Sequence, residues 1–207
     1  YPTSYIPTYG VSQTRAGELC NSAGNAATFN STEGVLYAEV AALANDGTYR
    51  EISLNDGTGN NSVEIRYTPI ENEFQFVVRD GNFPTVNIQF TVSNALNFNK
   101  IAFSYKANDF KVFVNGVQVA TDTSGTMPSG LNRLSLDWGT FNPFFGKAKQ
   151  VLVFNEALTD SELTELTING LKEELIAAYK TRVTTLEEGA SERLDTYLQS
   201  LEDFIII

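Results

Sequence analysis

The sequence predicts a mainly β protein: a two-sheet antiparallel β-sandwich over residues 1–157, followed by C-terminal helices. Three observations carry that expectation. Roughly nine or ten short runs alternate apolar and polar residues and are bounded by Gly, Asn, Asp and Thr. Asn115-Gly116 separates two such runs, and Asn-Gly is the strongest short hairpin signal because a type I′ turn needs φ > 0 twice. Finally, the composition changes near residue 158, from Asn, Gly, Thr, Phe and Val to Leu, Glu, Lys and Thr without proline.

The runs can be taken in order. Val35–Val40 follows a Glu33-Gly34 turn, and Tyr49–Leu54 is closed by residues 55–61, a loop dense in Asn, Asp and Gly. Ser62–Tyr67, Phe74–Val78, Val86–Val92 and Asn99–Tyr105 come next, then Lys111–Val114 and Val117–Ala120 around the Asn-Gly turn. Leu131–Leu136 and Lys147–Phe154 complete the set, the last alternating around Ala148, Val151 and Val153. Two sheets packed face to face are the natural way to bury so many half-apolar strands.

The chain then changes period. Thr159 with Glu162 three residues on forms a capping-box pattern, so a helix is expected from Thr159 to about Ile168, ending near Gly170. Residues 158–170 thus read as a closing helix and linker, and 171–207 as a helical tail. A second helix is expected from Leu171 to Leu186, broken around Gly189. Beyond it Ala190, Leu194, Tyr197, Leu201 and Phe204 recur at coiled-coil spacing, a short seam that needs partners to be stable. It either packs back onto the sandwich or self-associates, and the apolar Phe204-Ile205-Ile206-Ile207 ending favours assembly, with a homotrimer preferred.

Bulk composition excludes several classes. With 207 residues, 42% hydrophobic, 14 Phe and 9 Tyr, the chain can build a sizeable core. No apolar run approaches the roughly 20 residues that span a bilayer, so no membrane insertion is expected. A net charge of −11 argues against nucleic acid, whose phosphates reward clustered Lys and Arg. Histidine is absent and Cys20 is the single cysteine. Ser-His-Asp and Cys-His catalysis, an intrachain disulfide and a thiolate metal cluster are thereby removed. Cys20 reads as a small, partly buried side chain. A start at Tyr1 without a secretory signal suggests a piece of a longer protein.

Four segments carry a resemblance. Pro2–Thr8 with Val11–Ala16, Lys100–Phe110, Val114–Val117 with Thr121–Gly125, and the closing strand-plus-helix Phe145–Thr167 stand in that order. Together they resemble concanavalin A-like lectin/glucanase (laminin-G-like) domains of the kind found in bacteriophage tail fibre proteins, over residues 1 to about 167. The resemblance implies a jelly roll and a non-enzymatic carbohydrate- or host-receptor-binding role. Its implied partners are a host surface glycan, other virion proteins and further copies of the chain. The implied location is a virion, with an extracellular bacterial surface as the alternative. A purely structural role in fibre assembly, or adhesion by a bacterial surface protein, stays open beside the binding role.

The glucanase branch hydrolyses glycans with two glutamates flanking an aspartate on one strand, where alternation puts both on the same face. No such spacing occurs: Glu71-Asn72-Glu73 lacks the central Asp and lies by a turn. The expectation is therefore no catalytic residue. For a sugar, an aromatic platform with nearby Asn and Asp is the pattern to seek, because C–H faces stack and hydroxyls demand directed partners. Asp137, Trp138 and Asn142 are the leading candidates, Trp138 being the single tryptophan and set in a Gly/Asn loop. Tyr9, Asn82 and Phe83 are secondary. Laminin-G-like domains often hold one Ca²⁺ at the rim, a hard cation that takes oxygen ligands. Asp46, Asp56 and Asp80 are the candidate ligands, with Asp109 and Asp122 as further loop acids, and each reads first as a turn-forming residue. Asp46 and Asp56 flank one strand and should not share a site.

Overall fold

The computed structural model describes residue 10, residues 21–139 and residues 141–170. Tyr9, Cys20, the helix expected over 171–186 and the seam Ala190, Leu194, Tyr197, Leu201 and Phe204 lie outside the described residues.

Among the described residues, eleven strands form two antiparallel sheets. The first, six-stranded, runs β1 (Asn21–Ala23), β10 (Arg133–Ser135), β3 (Arg50–Asn55), β4 (Ser62–Tyr67), β5 (Glu73–Asp80) and β6 (Phe83–Thr91). The second, five-stranded, runs β11 (Gly146–Phe154), β2 (Glu33–Ala42), β7 (Asn99–Lys106), β8 (Phe110–Val114) and β9 (Val117–Asp122). The expected β-sandwich is present, and each anticipated run lies in or around a strand. Asn115 (φ 50°) and Gly116 (φ 88°) make the β8–β9 turn with both residues left-handed.

Alternation decides what each sheet buries. Ile52 and Leu54 of β3, Val63, Ile65 and Tyr67 of β4, and Phe74, Phe76 and Val78 of β5 face inward. They meet Leu36, Ala38 and Val40 of β2, Ile101, Phe103 and Tyr105 of β7, and Phe110, Val112 and Val114 of β8 in one continuous core. Phe76 and Phe103 join the two sheets with ring centroids 5.7 Å apart, tilted by 58°. Fully burying one such ring contributes about 1.5–3 kcal/mol of transfer free energy.

The outer face of the five-stranded sheet is apolar as well: Val35, Tyr37, Ala102, Phe113, Leu152 and Phe154 are buried there. Helix α1 (Asp160–Asn169) covers it with Leu163 and Leu166, after Leu158 has turned the chain inward. The capping box forms as read: the Thr159 side chain accepts from the Glu162 amide, and the Glu162 carboxylate accepts from the Thr159 N–H at 2.7 Å. At the other end the Gly170 N–H closes on Leu166 O at 2.8 Å. Thr159→Ala should therefore cost about 1 kcal/mol, read as a lower urea midpoint at unchanged slope.

Two features depart from the expected strand pattern. A three-residue β1 pairs along the edge through β10, too short for any alternation to announce it. A register shift lies between Ala148 and Gln150 opposite β2, which is why the apolar positions of β11 jump from 148 to 151 instead of keeping a spacing of two.

Candidate site on the outer face of the six-stranded sheet

Helix α1 packs on one outer face; the other is polar. Inward placement of Ile52, Val63, Ile65, Phe76 and Val78 turns Glu51 and Ser53 of β3, Ser62, Glu64 and Arg66 of β4, and Gln75 and Arg79 of β5 away from the core. These side chains form one network. Arg66 Nη1 donates to Glu51 Oε1 at 3.1 Å and reaches Glu64 Oε2 at 3.5 Å, while its Nε donates to Gln75 Oε1 at 2.8 Å. Arg79 Nε donates to Glu64 Oε1 at 3.0 Å. Glu64 thus sits between two guanidinium groups contributed by neighbouring strands.

The network is layered. The side chains of Glu51 and Glu64 are 0% exposed, whereas those of Arg66 and Arg79 keep 12% and 14%. Burial, reinforced by the Glu64 carboxylate, pushes Glu51 up to about 7 against the pull of Arg66. Burial likewise raises Glu64, opposed by the Ser62 hydroxyl and the two arginines. Both carboxylates are buried and paired with the arginines, which they hold in place.

Aromatic groups complete the face. Trp138 lies over it from the loop after β10, with its Nε1–H donating to Gly59 O at 3.1 Å and the Arg79 guanidinium 4.8 Å from its ring centroid. Gly59 is required there, because a Cβ would stand 2.7 Å from the indole. Phe141 is 66% exposed and tilts against Trp138 at 6.2 Å. Tyr49 stacks on Arg66 at 5.1 Å. Asn142, left-handed at φ 50°, anchors the loop: its carbonyl accepts from the Glu51 N–H at 3.0 Å and its Nδ2 donates to Glu51 Oε1 at 3.2 Å. Asp137 adds its carbonyl, which accepts from Ser53 Oγ at 2.6 Å.

Of the residues singled out from sequence, Asp137, Trp138 and Asn142 thus come together on one loop over this face. Asn82 and Phe83 sit on the adjoining β5–β6 turn, where the Asn82 N–H donates to Asn60 O at 2.7 Å and Phe83 is exposed. Residues 56–61 link the two groups. Arg66, Arg79, Glu51 and Glu64 were not among the expected site residues.

The loop acids serve turns. Asp46 accepts from the Thr48 amide and hydroxyl and pairs with Arg50, and the Thr48 hydrogen bond leads in lowering its pKa. Asp56 would be raised by its partial burial, but hydrogen bonds from Thr58 and Asn61 bring it down. Asp80 accepts from Thr126, Asp122 from Ser124, and Asp109 lies 3.8 Å from Lys111. Asp46 and Asp56 stand beyond opposite ends of β3, as expected. Among the described residues no group of three or more Asp, Glu, Cys or His gathers to hold a metal ion. A cavity of about 40 Å³ beside Asp46 also receives Arg50, whose guanidinium opposes a cation. Among the described residues no helix is long and apolar enough to cross a membrane.

A two-sheet antiparallel sandwich with a polar, aromatic-flanked outer face defines a lectin-like jelly roll. The family model described as the concanavalin A-like lectin/glucanases superfamily matches residues 22–164, more than half of the chain. The protein belongs to that superfamily. Comparison with curated proteins finds no match. Among solved structures, the CBM40 domain of the Ruminococcus gnavus IT-sialidase, bound to α2,3-sialyllactose, is similar at TM-score 0.56 and 19% identity, over 67% of this chain and 84% of that one. The leech intramolecular trans-sialidase gives 0.56 and 20% identity, over 69% of this chain but only 24% of the enzyme. Domain 4 of AbnA, an extracellular arabinanase of Geobacillus stearothermophilus, in complex with arabinotriose, gives 0.50 and 14% identity, over 68% and 69%.

Proposed function

We propose that the chain is a non-catalytic carbohydrate-binding module whose ligand lies across the outer face of the six-stranded sheet. The observation that carries this reading is the grouping of Trp138, Phe141 and Tyr49 with the partly exposed Arg66 and Arg79 on one sheet face. An apolar ring face flanked by directed polar groups is what a sugar requires. Membership of a lectin-like superfamily supports it, as do structural neighbours solved with sialyllactose and arabinotriose. The segments that resemble phage tail fibre domains support a virion setting, in which the module attaches to a host surface glycan. Self-association through 171–207, a homotrimer in the preferred form, would convert weak single contacts into avidity.

A glycan array probed with the full chain tests the binding reading. The native protein should retain a defined set of sugars. Trp138→Ala, with an unchanged melting curve, should lose about tenfold or more of that signal. An array left blank by the native chain would instead favour a structural role in fibre assembly.

A further inference from the structure

We propose that the outer face of the six-stranded sheet takes a sugar carrying a carboxylate, held by the outward edges of Arg79 and Arg66. The inference rests on the carbohydrate-binding reading above and names the class of sugar. Three observations carry it. First, the layering presents cations to an incoming ligand, because both glutamates are wholly buried and both arginines are not. Second, the guanidinium groups are incompletely used. Arg79 donates through Nε alone, and Arg66 through Nε and Nη1, so among the described residues Nη1 and Nη2 of Arg79 and Nη2 of Arg66 have no acceptor. These donors belong to side chains that keep some exposure, so they are available to an incoming acceptor. Third, the Arg66 and Arg79 guanidinium carbons lie over the Tyr49 and Trp138 rings, 5.1 and 4.8 Å from the centroids, which helps to hold both groups in place.

Charge decides the class of anion. Two arginines over two glutamates sum to zero when both acids are ionised, and burial raises Glu51 to about 7, so that this acid is protonated on the acidic side of neutrality. The face therefore accommodates about one negative charge. A carboxylate brings that charge in a planar form that matches the guanidinium fork. A phosphate brings more charge than the cluster balances. Phe141, exposed beside Trp138, offers a surface for the sugar ring.

Calorimetric titration of the full chain should compare lactose, lactose ending in N-acetylneuraminate, a disaccharide ending in glucuronate, and lactose 3′-sulfate. At least one of the two carboxylated sugars should bind about tenfold or more tighter than lactose and than the sulfate, the value of one charge-assisted fork. The preference should shrink as NaCl is raised. Arg79→Gln should bring the acidic-to-neutral ratio to about one, and Arg79→Lys, which keeps the charge but not the fork, should leave it in between. Equal or tighter binding of lactose overturns this inference and leaves the carbohydrate reading in place. Preference for the sulfate overturns the carboxylate assignment. A native chain that binds no sugar, here or on an array, overturns both.

Discussion

Replacing Arg66 by alanine should destabilise the protein by about 3–5 kcal/mol at pH 8, the cost of leaving buried carboxylates without their counter-charge. Arg66 is the group that touches both Glu51 and Glu64, and both acids are wholly buried. Glu64 keeps Arg79 after the substitution, but Glu51 keeps only the Asn142 amide, and its Oε2 is already without a hydrogen-bond partner. The loss should be smaller at pH 5, where Glu51 carries its proton. The double variant Arg66→Ala, Glu51→Gln should recover part of the stability, because the stranded charge goes with it. Urea unfolding of the native chain, the two single variants Arg66→Ala and Glu51→Gln, and the double variant at both pH values measures the coupling. A single-variant loss below about 1 kcal/mol at pH 8 would mean that the cluster behaves as a solvated surface pair.

The parts of this molecule legible in its sequence are those governed by local rules. Asn115-Gly116 and the Thr159–Glu162 cap depend on residues within one turn, and both form as written. Trp138 stood out because a lone indole in a Gly/Asn loop has no strand neighbours to pack among, and that loop does cross the outer face. Arg66, Arg79, Glu51 and Glu64 carry little signal in the sequence of any single strand, for a physical reason. In isolation Ser62-Val-Glu-Ile-Arg-Tyr is an ordinary half-buried strand whose polar residues face water, and the same holds for β3 and β5. The network exists because β3, β4 and β5 are neighbours, with Glu51 opposite Arg66 and Ser62 opposite Arg79, and because Trp138 and Asn142 fold over them. One signal was available. Glu64-x-Arg66 places opposite charges on one face in mid-strand, with strands on either side able to carry Glu51 and Arg79.

The pH dependence of stability follows from the same two acids, and its sign is opposite to that of most carboxylates. Glu51 is pushed up from 4.5 to about 7 in the folded protein, by burial first and by Glu64 second. Between those values the native state holds a proton that the unfolded chain has released. Stability from this group is therefore complete below about pH 4.5 and declines as pH rises to about 7, where the loss levels off. A displacement of that size corresponds to about 3 kcal/mol, shared with Glu64 because the two acids titrate as a pair. Glu51→Gln removes the titrating group while keeping an acceptor for Arg66 and Asn142. Urea unfolding at intervals from pH 4.5 to 8 should show the native chain losing about 2–3 kcal/mol more than the variant across that window. Subtracting the two profiles cancels the other acids of a chain with net charge −11. Parallel profiles would place the Glu51 pKa near its ordinary value and would require solvent to reach its carboxylate. The same titration bears on ligand capture, since each proton lost from Glu51 subtracts one positive charge from the face that Arg66 and Arg79 present. An acidic sugar should accordingly bind more tightly at pH 5.5 than at pH 8, by up to about tenfold, while a neutral sugar should show no such trend.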